Sequence, residues 1–228
     1  MKKLTMAVAV AVAMLFGSAA TARAESGAFI GGGRLALNYS TLYNSTTSSS
    51  GYTDTYSVGS GGLGFEGGVV GRLAVIEGQM GVHVGANFIY RSVFNGTVYY
   101  GTYGTTYYHR DNVTSSEMAV GVPILFEINP FVLGGLNSQV YEMIFIQIGL
   151  QVDYSFGYSQ ENNNKKATEA LMLDRNPLGV GIVIGAVGYF NSHLSLDVRY
   201  NLGLVEYYSD ITSKWYPYTY NIGLSFYL

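Results

Sequence analysis

The stretch IQIGLQVDYSF (residues 146–156) alternates apolar side chains with polar or small ones without a break. A period of two residues places successive side chains on opposite faces of a β-strand. One face of this strand is therefore wholly apolar, and the other carries Gln147, Gln151, Asp153 and Ser155. A strand of about ten residues with two such faces has the length and the pattern of a transmembrane β-strand.

The same alternation recurs along the chain. It predicts strands over residues 28–40, 62–73, 82–94, 117–127, 144–156, 178–190, 194–204 and 218–228. Charged residues make up only 12% of the chain, about half the share usual in a soluble domain. Beyond residue 24 no apolar run approaches the roughly 20 residues of a spanning helix. Since only a closed barrel satisfies its backbone in lipid without helices, we predict an all-β fold, an eight-stranded antiparallel up-and-down transmembrane β-barrel.

The connections between the predicted strands alternate in length. Long polar connections follow the odd-numbered strands, at residues 44–60, 95–113, 157–176 and 207–216. Short connections follow the even-numbered strands, at Val75–Gln79, Asn129–Val140 and Asn191–His193. Long extracellular loops and short periplasmic turns are typical of outer-membrane barrels. An even number of strands then predicts that both termini lie in the periplasm.

The N-terminal segment has the features of a secretory signal peptide. Lys2 and Lys3 precede an apolar run over residues 6–16, and residues 22–24 (ARA) match the pattern of a cleavage site. We expect residues 1–24 to be removed and residues 25–228 to form the barrel domain. The chain has no cysteine and a formal net charge of −3. These values exclude thiol chemistry and give no basic surface for nucleic acid.

The charged residues of the strands fall on the polar face, which a membrane barrel turns toward its lumen. They are Arg34, Glu66, Arg72, Arg91, Glu117, Glu127, Asp153, Asp197 and Arg199. We expect an upper cluster of Glu66, Arg91 and Glu117. A lower cluster would contain Arg34, Arg72, Asp197 and Arg199. Such charges form either a gate or a packed network that fills the lumen, and the narrow interior of an eight-stranded barrel favours the packed network.

Tyrosines concentrate where the predicted strands meet the long loops, as in the aromatic girdle of a membrane barrel. The outer set is Tyr39, Tyr43, Tyr90, Tyr99, Tyr100, Tyr154, Tyr158, Tyr207, Tyr208, Tyr218 and Tyr220. A sparser inner set is Phe29, Phe131, Tyr141 and Phe190.

Three segments of the second half resemble the strands of a known family. They are VGVPILF (residues 120–126), GVGIVIGA (179–186) and, most specifically, LSLDVRYNLGL (194–204). These resemble the PorT-type outer-membrane β-barrel family, small eight-stranded barrels of Gram-negative bacteria with an architecture akin to OmpA and OmpX. The resemblance covers about half the chain and implies fold and location more than activity. It departs from the family at Glu127, where a basic residue is common.

The final strand also resembles the C-terminal signal that the barrel-insertion machinery reads. The matching residues are Asn221, Gly223, Phe226 and Leu228, a polar residue and a glycine followed by two apolar residues at alternate positions. That signal usually ends in an aromatic residue, whereas this chain ends in Leu228. The resemblance implies that the insertion machinery is a partner of this protein.

Other classes of protein fit the sequence less well. Residues 62–67 (GLGFEG) match the dinucleotide fingerprint, but alternation continues through them to Arg72, so we expect a strand rather than a strand-to-helix turn. A soluble lipocalin-type barrel would carry its charges outside and its apolar residues inside. Here the charges share the face with the small residues, which indicates an apolar exterior.

The histidines give the only candidates for acyl-transfer chemistry, which needs a nucleophile and a base in hydrogen-bond reach. The candidates are His83 in the lumen, His193 with Ser192 and Ser195 in a turn, and His109 with Asp111 and Ser115 in a loop. No serine lies beside a recognisable oxyanion donor, and the histidines lack the spacing of a zinc or calcium site. We expect no enzyme activity, no cofactor and no metal.

These observations predict a monomeric integral outer-membrane barrel with a plugged polar lumen. Its role would be structural or interaction-based, through loops rich in Tyr, Ser, Gly and Asn. The expected partners are outer-membrane lipid, the insertion machinery and an extracellular or secretion-machine protein. Two alternatives stay open: an accessory barrel of a protein-secretion machine and a small lipid-modifying enzyme.

Overall fold

The computed structural model describes residues 27, 29–46, 56–100, 109–136, 143–162, 174–206, 208–209 and 213–228. The predicted signal peptide lies outside these residues. Eight long strands are present: β1 (Phe29–Thr46), β2 (Gly62–Ile76), β3 (Met80–Tyr100), β4 (His109–Ile128), β5 (Ile144–Asn162), β6 (Leu178–Tyr189), β7 (Leu194–Gly203) and β8 (Ser213–Tyr227). Three short segments add to the sheet at its edges, namely Tyr56–Ser60, Asp174–Arg175 and Tyr208–Ser209.

The eight strands form one closed antiparallel barrel. Each strand pairs with its neighbour along the chain, and β8 pairs with β1 from Gly32↔Tyr227 to Thr46↔Ser213. Closure leaves no open edge along the paired part of the wall. The predicted fold, an eight-stranded antiparallel up-and-down barrel, is therefore confirmed. We call the end with the long connections the loop end and the end with the short ones the turn end.

Burial is inverted relative to a soluble protein. On β5, Ile148, Leu150 and Val152 are exposed on the outside, while Gln147 and Gln151 are buried inside. The same division holds around most of the barrel, because most large apolar side chains of the strands are exposed, with Ile89, Leu125 and Phe145 among the buried exceptions. The period of two that the sequence shows thus separates an apolar exterior from a polar interior.

The strands extend further toward the loop end than predicted. β3 and β4 pair as far as Tyr100↔His109, and β5 continues to Asn162. The predicted loops at 95–113 and 157–176 are therefore shorter than expected, and residues 101–108 and 163–173 lie outside the described residues. Beyond the apolar band both faces of a strand are polar. No alternation then marks where pairing stops.

The connections after β2 and β6 at the turn end are short. Gly78 has φ 68° in the turn after β2, a left-handed conformation that suits glycine. The predicted turn 129–140 contains a one-turn helix, α1 (Pro130–Leu133), that the alternation does not reveal. Asn129 begins it as an N-cap, and its side-chain oxygen accepts from the backbone of Phe131 and Val132. Within the described part of the chain, no helix is long and apolar enough to cross a bilayer.

The glycine-rich stretch 62–67 lies within β2, as predicted. Its glycines lie close to the neighbouring strand. A Cβ added at Gly64 would collide with the carbonyl oxygen of Tyr90. At Gly68, four residues on, a Cβ would collide with the carbonyl oxygen of Ala86. These glycines allow neighbouring strands and lumen side chains to pack tightly.

Candidate functional site

Arg34 lies at the centre of the barrel and joins two carboxylates. Its Nη1 is 2.8 Å from Oε2 of Glu66, and its Nη2 and Nε lie 2.7 and 3.1 Å from the two oxygens of Asp197. All three side chains are less than 5% exposed. The guanidinium lies over Gly223 of β8, where an added Cβ would be 2.5 Å from Nη2. A glycine at this position therefore makes room for the bidentate pair.

Glu127 is the centre of a second group, nearer the turn end. One carboxylate oxygen accepts from Nε of Arg72 at 2.7 Å, and the other accepts from Nε2 of Gln147 at 2.8 Å. The hydroxyl of Tyr189 also lies 2.8 and 3.0 Å from the two oxygens. A buried carboxylate is tolerated when donors and a cation surround it in this way.

Arg199 connects these two groups into one network. Its Nε is 2.9 Å from Asp197 and donates to Oε1 of Gln147 at 3.0 Å. Its Nη2 lies 3.3 Å from Nε2 of His83, whose other ring nitrogen is 3.8 Å from Glu127. The network, which we call the inner network, is formed by Arg34, Glu66, Arg72, His83, Glu127, Gln147, Tyr189, Asp197 and Arg199. Its three arginines balance its three acids.

A separate outer cluster lies toward the loop end. Arg91 donates from Nη2 to Glu117 at 3.0 Å and from Nη1 to Asp153 at 3.3 Å. Gln151 donates to the other oxygen of Asp153 at 2.8 Å. One arginine here faces two acids, so the outer cluster is the more acidic part of the lumen.

The structure brings together the predicted lumen residues in a different grouping. Glu66 contacts Arg34 of the inner network instead of Arg91, and Asp153 takes the expected place of Glu66 beside Arg91. Arg72 pairs with Glu127 and not with Asp197. The stagger of tilted strands sets which lumen residues meet, and strand order alone does not give that stagger.

Aromatic side chains close the lumen at the turn end. The Arg72 guanidinium lies 4.4 Å from the ring centroid of Tyr189 and 5.0 Å from that of Phe145. Tyr227 packs with Ile30 and Val70 beside Tyr189. A cavity of about 270 Å³ lies below these rings and is lined partly by Arg72, Phe145, Tyr189 and Tyr227. Sequence reasoning did not single out Tyr189 and Tyr227, although alternation with Phe190 and Phe226 places both in the lumen.

Two of the three candidate histidines have described side-chain contacts. His83 contacts Arg199, and Nδ1 of His193 lies 3.0 Å from the backbone oxygen of Tyr227. The side chains of His109 and Asp111 lie outside the described residues. In the described ranges, no group of three or more metal-ligating side chains comes together.

The residues of the predicted insertion signal divide between the two faces of β8. Asn221 is buried in the lumen and Gly223 lies against Arg34, whereas Phe226 and Leu228 are exposed on the outside. The backbone of Leu228 donates to Gly31 of β1 at 2.9 Å. Phe226 and Leu228 thus belong to the closing seam of the barrel.

Several predicted girdle residues lie on the exterior near the loop end. Tyr39, Tyr154, Tyr158 and Tyr220 are exposed there, and Tyr218 packs edge-on against Tyr220 with centroids 6.1 Å apart. The side chains of Tyr43, Tyr99, Tyr100, Tyr207, Tyr208 and Tyr141 lie outside the description. In the inner set, Phe29 and Phe190 are exposed.

Comparison with solved structures finds small barrels of low sequence identity. The chain is similar to the outer membrane protein OprG from Pseudomonas aeruginosa, with 14% identity, a TM-score of 0.44, and coverage of 90% of this chain and 97% of that one. It is also similar to Ail, the attachment invasion locus protein of Yersinia pestis, with 10% identity, a TM-score of 0.42, and coverage of 90% and 100%. Neisserial surface protein A has 10% identity, a TM-score of 0.43, and coverage of 89% and 99%.

Likeness at this level says nothing about what this chain binds or does. No curated protein matches the sequence. No family model matches it either, so membership of the PorT-type family stays a prediction.

Proposed function

We propose that this chain is an integral outer-membrane β-barrel protein of a Gram-negative bacterium, with both termini in the periplasm. One observation carries the proposal: the closed barrel is apolar outside and charged inside. The outward residues Leu35, Leu37 and Leu63 are all more than 70% exposed. In water this surface would far exceed the apolar patches that monomeric soluble proteins present. In a bilayer the same surface is solvated by lipid, and the closed wall presents no open strand edge.

We further propose that the lumen is plugged by side chains and does not conduct freely. Support comes from the inner network, whose ion-paired acids and arginines are nearly all inaccessible to water. At the loop end, the space beside Arg91, Glu117 and Asp153 amounts to about 20 Å³, roughly the room for one water molecule. Beyond it, Arg34 and its two acids occupy the centre of the barrel.

A plugged monomeric barrel would act through its surface, so the role we propose is structural or interaction-based, through the extracellular loops. Those loops are rich in Tyr, Ser, Gly and Asn, residues that make adaptable contacts at low entropic cost. Copurification from native membranes, followed by identification of what is bound, distinguishes an extracellular partner from a secretion machine. Release of fatty acid from lipid by the purified barrel would instead favour a lipid-modifying enzyme.

Two measurements test the membrane barrel and its plug. The protein should fractionate with outer membranes. On a gel, the folded protein of an unboiled sample should migrate differently from the unfolded protein of a boiled one. Recovery in the soluble periplasmic fraction would exclude the membrane assignment. In planar bilayers we expect no large, stable conductance. Such a conductance would contradict the plugged lumen but not the membrane barrel.

A further inference from the structure

The turn between β4 and β5 holds apolar side chains outside the barrel. Leu133 at the end of α1 and Leu136 just after it are both more than half exposed. The described part of this turn, residues 129–136, contains no charged residue. The turn after β2 (77–79) contains Glu77 and Gln79, and the turn after β6 (190–193) combines an exposed Phe190 with Asn191, Ser192 and His193. Residues 129–136 therefore carry two exposed leucines and fewer polar side chains than either of the other two turns.

The fold holds this turn rigidly. Asn129 is fully buried, and its side-chain oxygen accepts from two backbone groups of α1 at 3.1 Å each. The backbone of Asn129 donates to Gln79 of the neighbouring turn at 2.8 Å, and that of Leu136 donates to Phe131 at 2.9 Å. Capping at both ends keeps the leucines in place, because withdrawing them would break these bonds.

The position of α1 is at the edge of the apolar exterior. It begins two residues after Ile128, which pairs with Met80 on one side and with Ile146 on the other. Outward residues at this level, including Ile76, Phe126 and Ile146, are exposed and apolar. None of residues 129–136 lines the cavity at the turn end. The described part of the turn therefore follows directly on the outer apolar surface and does not line that cavity.

We propose that the α1 turn is an interfacial anchor, with Leu133 and Leu136 inserted among the lipids of the periplasmic leaflet. This inference rests on the proposed outer-membrane function. It adds a contact between the α1 turn and the lipid that surrounds the barrel wall. The occupant is lipid because the leucines follow directly on a lipid-facing surface. Residues 129–136 contain no charged side chain that a polar partner could pair with. Apolar side chains of a segment that lies along the membrane surface are buried at the boundary between headgroups and acyl chains.

Tryptophan fluorescence tests the depth of the turn. The chain has one tryptophan, Trp215, so Leu133→Trp is made in a Trp215→Phe background and refolded into phosphatidylcholine vesicles. With lipids brominated near the glycerol end of their chains, the Leu133→Trp emission should be largely lost. It should be blue-shifted in unbrominated lipid and shielded from iodide. Glu77→Trp, in the polar turn nearby, is the matched control and should show the opposite response to both quenchers.

Each other result overturns the anchor. Quenching of Leu133→Trp by iodide and not by brominated lipid would place the turn in water. Shielding from both quenchers would place it against protein, and loss of that shielding on diluting the protein in lipid would identify a second copy. Leu136→Trp repeats the measurement if the first variant does not fold, as judged by the gel shift.

A third position separates this inference from the proposal on which it rests. Leu224 lies on the outward face of β8, on the opposite side of the barrel from the turn between β4 and β5. If Leu224→Trp is quenched by brominated lipid and Leu133→Trp is not, only the anchor fails. If neither is quenched, the membrane barrel itself is wrong.

Discussion

Arg34→Met should be among the most destabilising single changes in this protein. Arg34 makes three hydrogen bonds to Glu66 and Asp197, and a methionine fills similar space without charge. Asp197 would keep Arg199 at 2.9 Å, whereas Glu66 has no second ion pair among the described residues. Breaking a buried pair by removing one partner costs about 3–5 kcal/mol. We expect a loss of this size, chiefly from the stranded Glu66.

The double variant Arg34→Met with Glu66→Gln separates charge from packing. It leaves Asp197 with Arg199, so it should recover more than half of the lost stability. Urea unfolding of the refolded barrel in lipid vesicles, followed by tryptophan fluorescence and the gel shift, measures the free energy of unfolding. Glu77→Gln, an exposed turn residue, serves as the control and should be unchanged. A cost below about 1 kcal/mol for Arg34→Met would place these charges in water, which would refute the buried network.

The remaining predictions use the same urea unfolding, single-channel conductance and insertion in cells. Arg91→Ala should destabilise the barrel by a few kcal/mol, because it removes the cation between two buried acids. It should leave single-channel conductance nearly unchanged. Conductance that rises without loss of stability would indicate a pore lining. Gly223→Val should also destabilise the barrel, because the valine side chain would displace the Arg34 guanidinium. Unfolding at the same urea concentration as the unmutated protein would contradict that contact. Deleting residues 226–228 should block insertion in cells. A soluble tag after Leu228 should impair insertion in cells while refolding in detergent proceeds, and normal surface display of both variants would exclude an insertion signal.

Alternation made the architecture predictable, because successive residues of a barrel strand lie on opposite faces of the wall, and here one face is apolar and the other polar. Gln147 and Ile148 show the principle: adjacent in sequence, one is buried in the lumen and the other is exposed outside. A single apolar period therefore gave the strands, their faces and the lumen charges. Turn chemistry lies outside that period, so α1 and its Asn129 cap were not foreseen.

The pairing of the lumen residues was less predictable. Arg34 reaches Asp197, 163 positions away in sequence, because β8 lies between β1 and β7 and the strands are staggered. Long side chains such as Arg72 and Arg199 can reach several partners, and only the register selects among them. Alternation with Phe190 puts Tyr189 on the lumen face, although the sequence analysis did not single it out, and its bond to Glu127 depends on that same stagger.

The seam between β1 and β8 has a consequence for how this protein folds. It joins the first strand to the last over fifteen pairs, from residues 32–46 to residues 213–227. These are the contacts of greatest sequence separation in the barrel, and such contacts slow folding because the chain entropy of a long loop is lost before they form. The seam cannot form until the whole chain has been synthesised. Every earlier intermediate has two unpaired strand edges, which are exposed to pairing with other chains until β8 joins β1.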